Sequence, residues 1–428
     1  MKKKVLIISY YWPPAGGISV LRSLKIAKYL TAFDWEPIIY TVKDAQYPIL
    51  EPSNEKHIPK GITILKQPCF EPFDFYKKLT GRKKEDTLAN VLNANDTKKG
   101  LFHQLSVWIR ANFFIPDARA IWVNPSVKYL TNYLKENPVD AIFSDGPPHT
   151  NTLIAAKVSK ATDTPWLMDW QDPWTEVDYY KLFPIGKRAN KTHHKLEQFC
   201  LNQASKTTIV SPSWKKDIEK LGAKNVSVIV WGYDEDDYTN FTSNNTSSFI
   251  ISHMGLMGED RAPYGFIQAL ENIQQSTSTR PIKVKFYGTV DNKIKEDIEA
   301  KQLGDLFEIK GHVPRAEAIQ CMFDSAIQLL ILNKAENAKG RIPGKLFENL
   351  RVGKPILCLG PIDSDVANIL RETNAGATFE HDDITGIQTF IERIMIGDFQ
   401  FKTKNIEQYS IKNLTGEIAN YLNELVKS

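Results

Sequence analysis

At 428 residues the chain is too long for one typical domain and suits two of roughly 200 residues each. Its 42% hydrophobic and 24% charged content is ordinary for a soluble globular protein. A net charge of +4 is small for this size and gives no case for a dedicated nucleic-acid binder, and no stretch reaches the length of a membrane-spanning helix.

The opening Met1-Lys-Lys-Lys-Val-Leu-Ile-Ile-Ser9 begins like a signal peptide. Its apolar run is short, however, and breaks at Tyr10-Tyr-Trp-Pro-Pro14 without a small-residue cleavage site. It reads as a first buried strand. Short apolar runs then alternate with helical patterns, as in parallel sheets with crossover helices. Strands fit Val5–Ser9, Pro37–Tyr40, Ala141–Ser144, Trp166–Asp169 and Thr207–Val210. Helices fit Ser19–Leu30, Ser126–Glu136, His149–Lys160, Arg188–Ala204 and Ser213–Leu221. The polar stretch Asp234–Ser248 reads as an interdomain linker. A second series follows, with strands at Phe249–His253, Ile282–Tyr287, Leu306–Lys310, Ala326–Leu332 and Pro355–Leu359. Its helices fit Tyr264–Gln274, Asp291–Lys301, Pro314–Phe323, Lys345–Val352, Ser364–Thr373 and Asp383–Ile396, with a closing amphipathic helix at Leu414–Lys427. The expected architecture is α/β, two doubly wound domains over 1–235 and 249–410, with ligands at the carboxyl ends of the strands.

The segment Pro72–Pro116 fits this scheme badly. Its basic pairs lead into a helix on which Leu101, Leu105, Trp108, Ile109 and Phe113 share one face. Such a helix either packs on the first domain or rests on an anionic membrane surface.

Four cysteines, Cys69, Cys200, Cys321 and Cys358, show neither paired nor metal-ligand spacing, and reduced thiols in a cytoplasmic protein are expected. The histidines form no metal pattern, and no Ser or Cys has a nearby base that sequence supports.

Several loops carry chemistry. Trp12-Pro-Pro-Ala-Gly-Gly-Ile18 contains Gly16 and Gly17, which either let backbone N–H groups approach a ligand or form a simple strand–helix turn. His149 closes Ser144-Asp-Gly-Pro-Pro-His149, where it either meets sugar hydroxyls or caps a helix. In Asp169-Trp-Gln-Asp-Pro-Trp174, Asp172 and Trp174 suit a sugar ring, the plain alternative being a turn of packed tryptophans. The paired carboxylates also fit a glycosidase, a weak match on this α/β pattern. Arg261, in Gly255-Leu-Met-Gly-Glu-Asp-Arg261, either reaches a diphosphate or pairs with Glu259 or Asp260. The most informative stretch is Lys339-Gly-Arg-Ile-Pro-Gly-Lys-Leu-Phe-Glu348, followed by Gly353-Lys-Pro355. A glycine-punctuated loop there opens a short helix, with Arg341 and Lys345 adding charge. An anion bound at its start, with Glu348 on a ribose diol, competes with a capped helix whose Glu348 merely faces solvent.

Together these loops resemble the retaining GT-B-type glycosyltransferases of the large group 1 family (family 4-like). Tyr11-Trp-Pro-Pro-Ala-Gly-Gly17, His149, Gly255–Arg261 and Gly340–Glu348 with Gly353-Lys-Pro355 carry the likeness. The resemblance implies two Rossmann-like domains facing across a cleft, with residues 411–428 as a helix returning to the first domain. It implies a nucleotide diphosphate sugar as donor and a glycan or lipid-linked acceptor, with neither cofactor nor metal. Glu348 would bind ribose, Arg261 and Lys345 the diphosphate, helped by Arg341 and N–H groups near Gly344. Gly16 and Gly17 would approach the phosphate and sugar, and His149 the reacting bond. Gly340 stands where the family commonly has a second glutamate; Glu336 would substitute. Two alternatives stay open: a nucleotide-sugar epimerase of the same fold, and a non-catalytic nucleotide- or glycan-binding module.

Overall fold

The computed structural model describes residues 2–45, 47, 49–69, 101–244, 246–275, 281–335, 337–398 and 401–427. The chain forms two compact units, one of Met1–Val230 with Ile411–Ser428 and one of Trp231–Ser410.

The first unit runs β1 (Lys3–Ile8), α1 (Ile18–Leu30), β2 (Trp35–Lys43), β3 (Thr63–Pro68), α2 (Leu101–Phe113), α3 (Val123–Glu136), β4 (Ala141–Gly146), α4 (His149–Thr162), β5 (Trp166–Trp170), α5 (Lys187–Gln203), β6 (Lys206–Ile209), α6 (Pro212–Lys220) and β7 (Val226–Val228). Its strands form one parallel sheet in the order β3-β2-β1-β4-β5-β6-β7. Val5–Ile8 are fully buried because helices cover both sheet faces, which is why β1 reads as an unbroken apolar run. Inside the sheet Asp169 accepts from Arg22 Nε at 2.6 Å, Arg22 Nη2 at 2.7 Å and Thr208 Oγ1 at 2.7 Å, so this carboxylate is buried yet satisfied.

The second unit runs β8 (Phe249–Met254), α7 (Tyr264–Gln275), β9 (Ile282–Tyr287), α8 (Asn292–Ala300), β10 (Phe307–Lys310), α9 (Arg315–Asp324), β11 (Ile327–Ile331), α10 (Lys345–Val352), β12 (Ile356–Leu359), α11 (Asp365–Thr373), β13 (Gly376–Phe379) and α12 (Ile384–Met395). These strands are also parallel, ordered β10-β9-β8-β11-β12-β13. Phe266, Leu270, Val284, Leu329 and Ile387 lie in its main core. The last helix, α13 (Ile411–Lys427), belongs to the first unit and packs on α1.

In each sheet the strand order reverses direction once, between β1 and β4 and between β8 and β11. Crossover helices diverge at such a point and leave a crevice at the strands' carboxyl ends. The loops Tyr10–Gly17, Pro147–His149, Gly255–Arg261 and Leu332–Gly344 follow these four strands.

Two expectations are corrected. Sequence reading omits β3, β7 and β13, which lie at sheet edges. Residues 234–248 are not a free linker. Asp234 and Tyr238 are buried, Ser243 Oγ donates to Phe323 O at 2.7 Å, and Asn244 N donates to Asp324 Oδ1 at 2.8 Å. The polar side chains there find partners on α9 and α10, so low hydrophobicity did not mean lack of structure.

Candidate functional site

The densest group of charge-bearing candidates lies at the β8/β11 crevice of the second unit. After β8 the backbone turns at Gly255, φ +120°, whose N–H donates to Tyr287 O at 2.6 Å. A Cβ at Gly255 would overlap the Lys345 ammonium, and one at Gly288, φ +129°, would run into the Gly255 carbonyl. These glycines let a lysine side chain lie against bare backbone. Lys345 opens α10. Burial lowers its pKa, Glu348 opposes that shift, and the Arg261 cation reinforces it. Thus Arg261, 84 positions before Lys345, shares one electrostatic neighbourhood with Lys345 and Glu348.

Arg261 ends a short turn, Glu259–Arg261, and its Nη2 donates to Asp260 Oδ2 at 2.8 Å. That pairing is the plain alternative foreseen from sequence, yet the arginine side chain stays 26% exposed. The turn is itself held by Lys334 N, which donates to the Asp260 carbonyl at 2.8 Å. The start of α10 has no side-chain cap: Gly344 is helical at the N-cap, while Leu346 and Phe347 donate to the Pro343 and Gly344 carbonyls. An uncapped start leaves the positive end of the helix dipole available to an anion. Arg341 is half-buried in the turn ahead, Gly340 is buried, and Glu336 lies outside the described residues.

Two residues of this region escaped the sequence reading. His253 sits on β8 with Nδ1 3.0 Å from Leu329 O. Burial, then the Lys345 cation, hold its pKa down at about 4, the Leu329 hydrogen bond opposing and Arg261 adding to the effect. Arg315, at the start of α9, donates through Nη1 to Glu348 Oε1 at 2.8 Å and through Nη2 to Asp237 Oδ2 at 3.1 Å. Glu348 is therefore not merely solvent-facing. No spacing rule links Arg315 to Glu348, 33 residues away.

In the first unit His149 is buried at the start of α4, stacked on Trp174 with ring centroids 4.7 Å apart and planes 5° apart. Burial lowers its pKa to about 3, with Asp117 opposing, so the ring is neutral near pH 7. Asp117 caps α4 from a distant loop, accepting from Thr150 N at 2.9 Å and Thr150 Oγ1 at 2.8 Å. The sequence reading missed that carboxylate.

Trp174 is corrected from an open sugar platform to a packed ring. It is 3% exposed, and its Nε1–H donates to His193 Nδ1 at 3.1 Å. Asp172 is half-buried beside it. Gly16 is corrected too, because its N–H donates to Ile49 O at 2.9 Å and is not offered to a ligand. Gly17 keeps φ +94° at the N-cap of α1, with open space where a Cβ would stand.

Among the described residues no group of three or more His, Cys, Asp or Glu is placed to hold a metal, and no helix is long and apolar enough to cross a membrane. On α2, Leu105, Trp108, Ile109 and Phe113 are exposed, whereas Asn112 tethers the helix by donating to Pro184 O at 2.9 Å and accepting from Gly186 N at 2.7 Å. The basic pairs at 77–99 lie outside the described residues.

No protein-family model matches the chain, and no curated protein matches it in sequence. Solved structures do match. A glycosyltransferase from Rickettsia africae ESF-5 is 14% identical, covering 100% of this chain and 99% of its own at a TM-score of 0.61. Anabaena Alr3699/HepE, solved with UDP and glucose, is 15% identical, covering 99% of this chain and 100% of its own, also at 0.61. The fold is GT-B. A UDP-N-acetylglucosamine 2-epimerase-like protein from Listeria monocytogenes shares it at 12% identity, covering 100% of this chain and 97% of its own, with a TM-score of 0.57. Identities this low speak to the fold alone. Within it, the GT-B chain places Lys345, Arg261 and Glu348 where the second sheet's order reverses.

Proposed function

We propose that this chain is a glycosyltransferase that moves a sugar from a nucleotide diphosphate sugar to a glycan or lipid-linked acceptor, with retention of configuration. The observation that carries the reading is the cluster of Lys345, Arg261 and Glu348 at one crevice, beside an uncapped helix start. Two cations and a helix dipole suit a diphosphate, and a carboxylate one turn along suits a ribose diol.

In this reading Lys345, Arg261, Arg341 and the N–H groups near Gly344 hold the diphosphate, and Glu348 holds the ribose. The bond from the anomeric carbon to the phosphate oxygen breaks as charge grows on that oxygen. Lys345 and Arg261 stabilise this charge in place of a divalent metal. The acceptor oxygen bonds to the anomeric carbon on the same face, and its proton passes to the departing phosphate oxygen.

Lipid-linked acceptors favour contact with a membrane surface. Leu105, Trp108, Ile109 and Phe113 on α2, with Leu182, are exposed beside exposed Lys181, Lys187, Arg188 and Lys191. Apolar groups flanked by cations suit an anionic bilayer. Trp108→Ser with Phe113→Ser should abolish co-sedimentation with vesicles containing anionic lipid, and unchanged binding would remove this face from the proposal.

The fold shared with the epimerase-like protein supports a second reading, epimerisation of the donor. Incubating the full chain with a panel of nucleotide sugars, with and without acceptors, separates the two. Transfer that requires an acceptor supports the first; an epimerised donor formed alone supports the second.

A further inference from the structure

We propose that Arg315 is a positioning residue for the nucleotide's ribose, acting through Glu348. The inference rests on the second unit being the nucleotide-sugar site. Arg315 divides its guanidinium between Glu348 Oε1, at 2.8 Å, and Asp237 Oδ2, at 3.1 Å. Three separate pieces of the unit meet there: the start of α9, the first turn of α10, and the segment 235–237.

A stabilising role alone is a poor account of this arrangement. Arg315 is 47% exposed against 15% for Asp237 and 26% for Glu348, so its two pairs sit at the solvent boundary, where screening keeps their contribution to stability modest. The same segment is already fastened to α10 by a second pair, Arg351 with Glu235, and by Tyr238, which is buried beneath the Arg351 guanidinium. What Arg315 adds is orientation. A glutamate side chain has several rotamers, and a planar fork fixed at its far end by Asp237 selects one of them. With Oε1 engaged by Arg315, Oε2 is the oxygen assigned to the ribose hydroxyls. A carboxylate already held in place binds a diol without losing that rotamer freedom on association.

Calorimetric titration of the full chain with UDP, GDP and ADP, each beside its 2′-deoxy counterpart, tests the inference. The wild type should favour the ribonucleotide by about tenfold, as for one hydrogen bond to a charged group. Glu348→Ala should erase that preference. Arg315→Ala should bring it down to about twofold by weakening ribonucleotide binding alone, with an unchanged unfolding temperature, and Arg315→Lys should fall between. The double variant should bind no worse than Glu348→Ala, because both changes remove one interaction. In a transfer assay Arg315→Ala should raise KM and leave kcat near wild type.

Retention of the full ribose preference in Arg315→Ala, equal loss for both sugar types, or additive losses in the double variant would each overturn the inference while the site reading stands. If the wild type binds none of these nucleotides, the site reading falls, and this inference with it.

Discussion

The Lys345 ammonium occupies the space that a side chain on Gly255 would need. Since Gly255 also sits at φ +120°, the position is closed to other residues twice over, by backbone strain and by overlap. Gly255→Ala should displace Lys345 and weaken nucleotide diphosphate binding by tenfold or more, while costing about 1–3 kcal/mol of stability. Titration with UDP and denaturant unfolding read the two effects separately. Wild-type affinity in this variant would mean that Lys345 does not touch the ligand.

The two cations should act chiefly on the leaving group. Arg261→Ala and Lys345→Ala are each expected to lower transfer by about 10²–10³-fold with the protein still folded, the usual scale for losing one charge-stabilising donor. Glu348→Ala should reduce transfer severely as well, mainly through donor binding. Steady-state kinetics with varied donor decides this, and wild-type-like turnover in any of the three would remove that residue from the site.

Acid should destabilise the fold through its buried histidines. Folding holds His149 at about 3 and His193 and His253 at about 4, each mainly by burial and each below the ordinary 6.5. The unfolded chain therefore takes up more protons as pH falls from about 6.5 towards 4, and stability drops over that window. Asp145 works the other way. Burial raises its pKa to about 6 despite hydrogen bonds from Ser23, Ser9 and Asn151, so its contribution is largest in acid and is lost as pH rises through 6. His381, also held at about 4 by burial, joins the histidines, while burial raises Glu197 and Glu417 on the side of Asp145; the four histidines still outnumber the three carboxylates, giving a net slope on the order of 1–3 kcal/mol per pH unit. Melting temperatures from pH 7 to pH 4 should fall, and fall more steeply in Asp145→Asn. A rise in acid would contradict the assignment of neutral, buried imidazoles.

Trp174 should matter for stability before it matters for sugar. Trp174→Ala removes a buried ring stacked on His149 and should cost about 3–5 kcal/mol. Trp174→Phe keeps an aromatic face but leaves His193 Nδ1 without its donor, at about 1–2 kcal/mol. Urea unfolding of both variants measures the difference. A near-neutral alanine variant would show that the ring is not part of the packed core.

Legibility in the sequence followed burial for most strands, the partly buried edge strand β10 being the exception. The strands β1, β4, β5, β8, β11 and β12 lie inside their sheets, apolar on both faces, and stand out as short hydrophobic runs. The missed strands lie at edges: β3 is half-exposed and reads Thr-Ile-Leu-Lys-Gln-Pro, β7 has three residues, and β13 is only partly buried. Backbone pairing with an inner neighbour makes them strands, and that leaves no apolar pattern. In the candidate site, glycines and charged groups marked the loops around Gly255, Arg261, Lys345 and Glu348. His253 and Arg315 carried no mark, because each matters through a neighbour distant in the chain.

The sequence by itself determined the alternation of buried strands with crossover helices, and hence which loops would follow them, since that pattern depends on local periodicity and on where glycine permits a turn. Only the tertiary structure decided what those loops hold. It engaged the Gly16 N–H with Ile49, turned Trp174 inward against His149, and set Arg315 against Glu348. These outcomes depend on which distant groups reach one another once the sheets have formed, and no local pattern of residues encodes that distance.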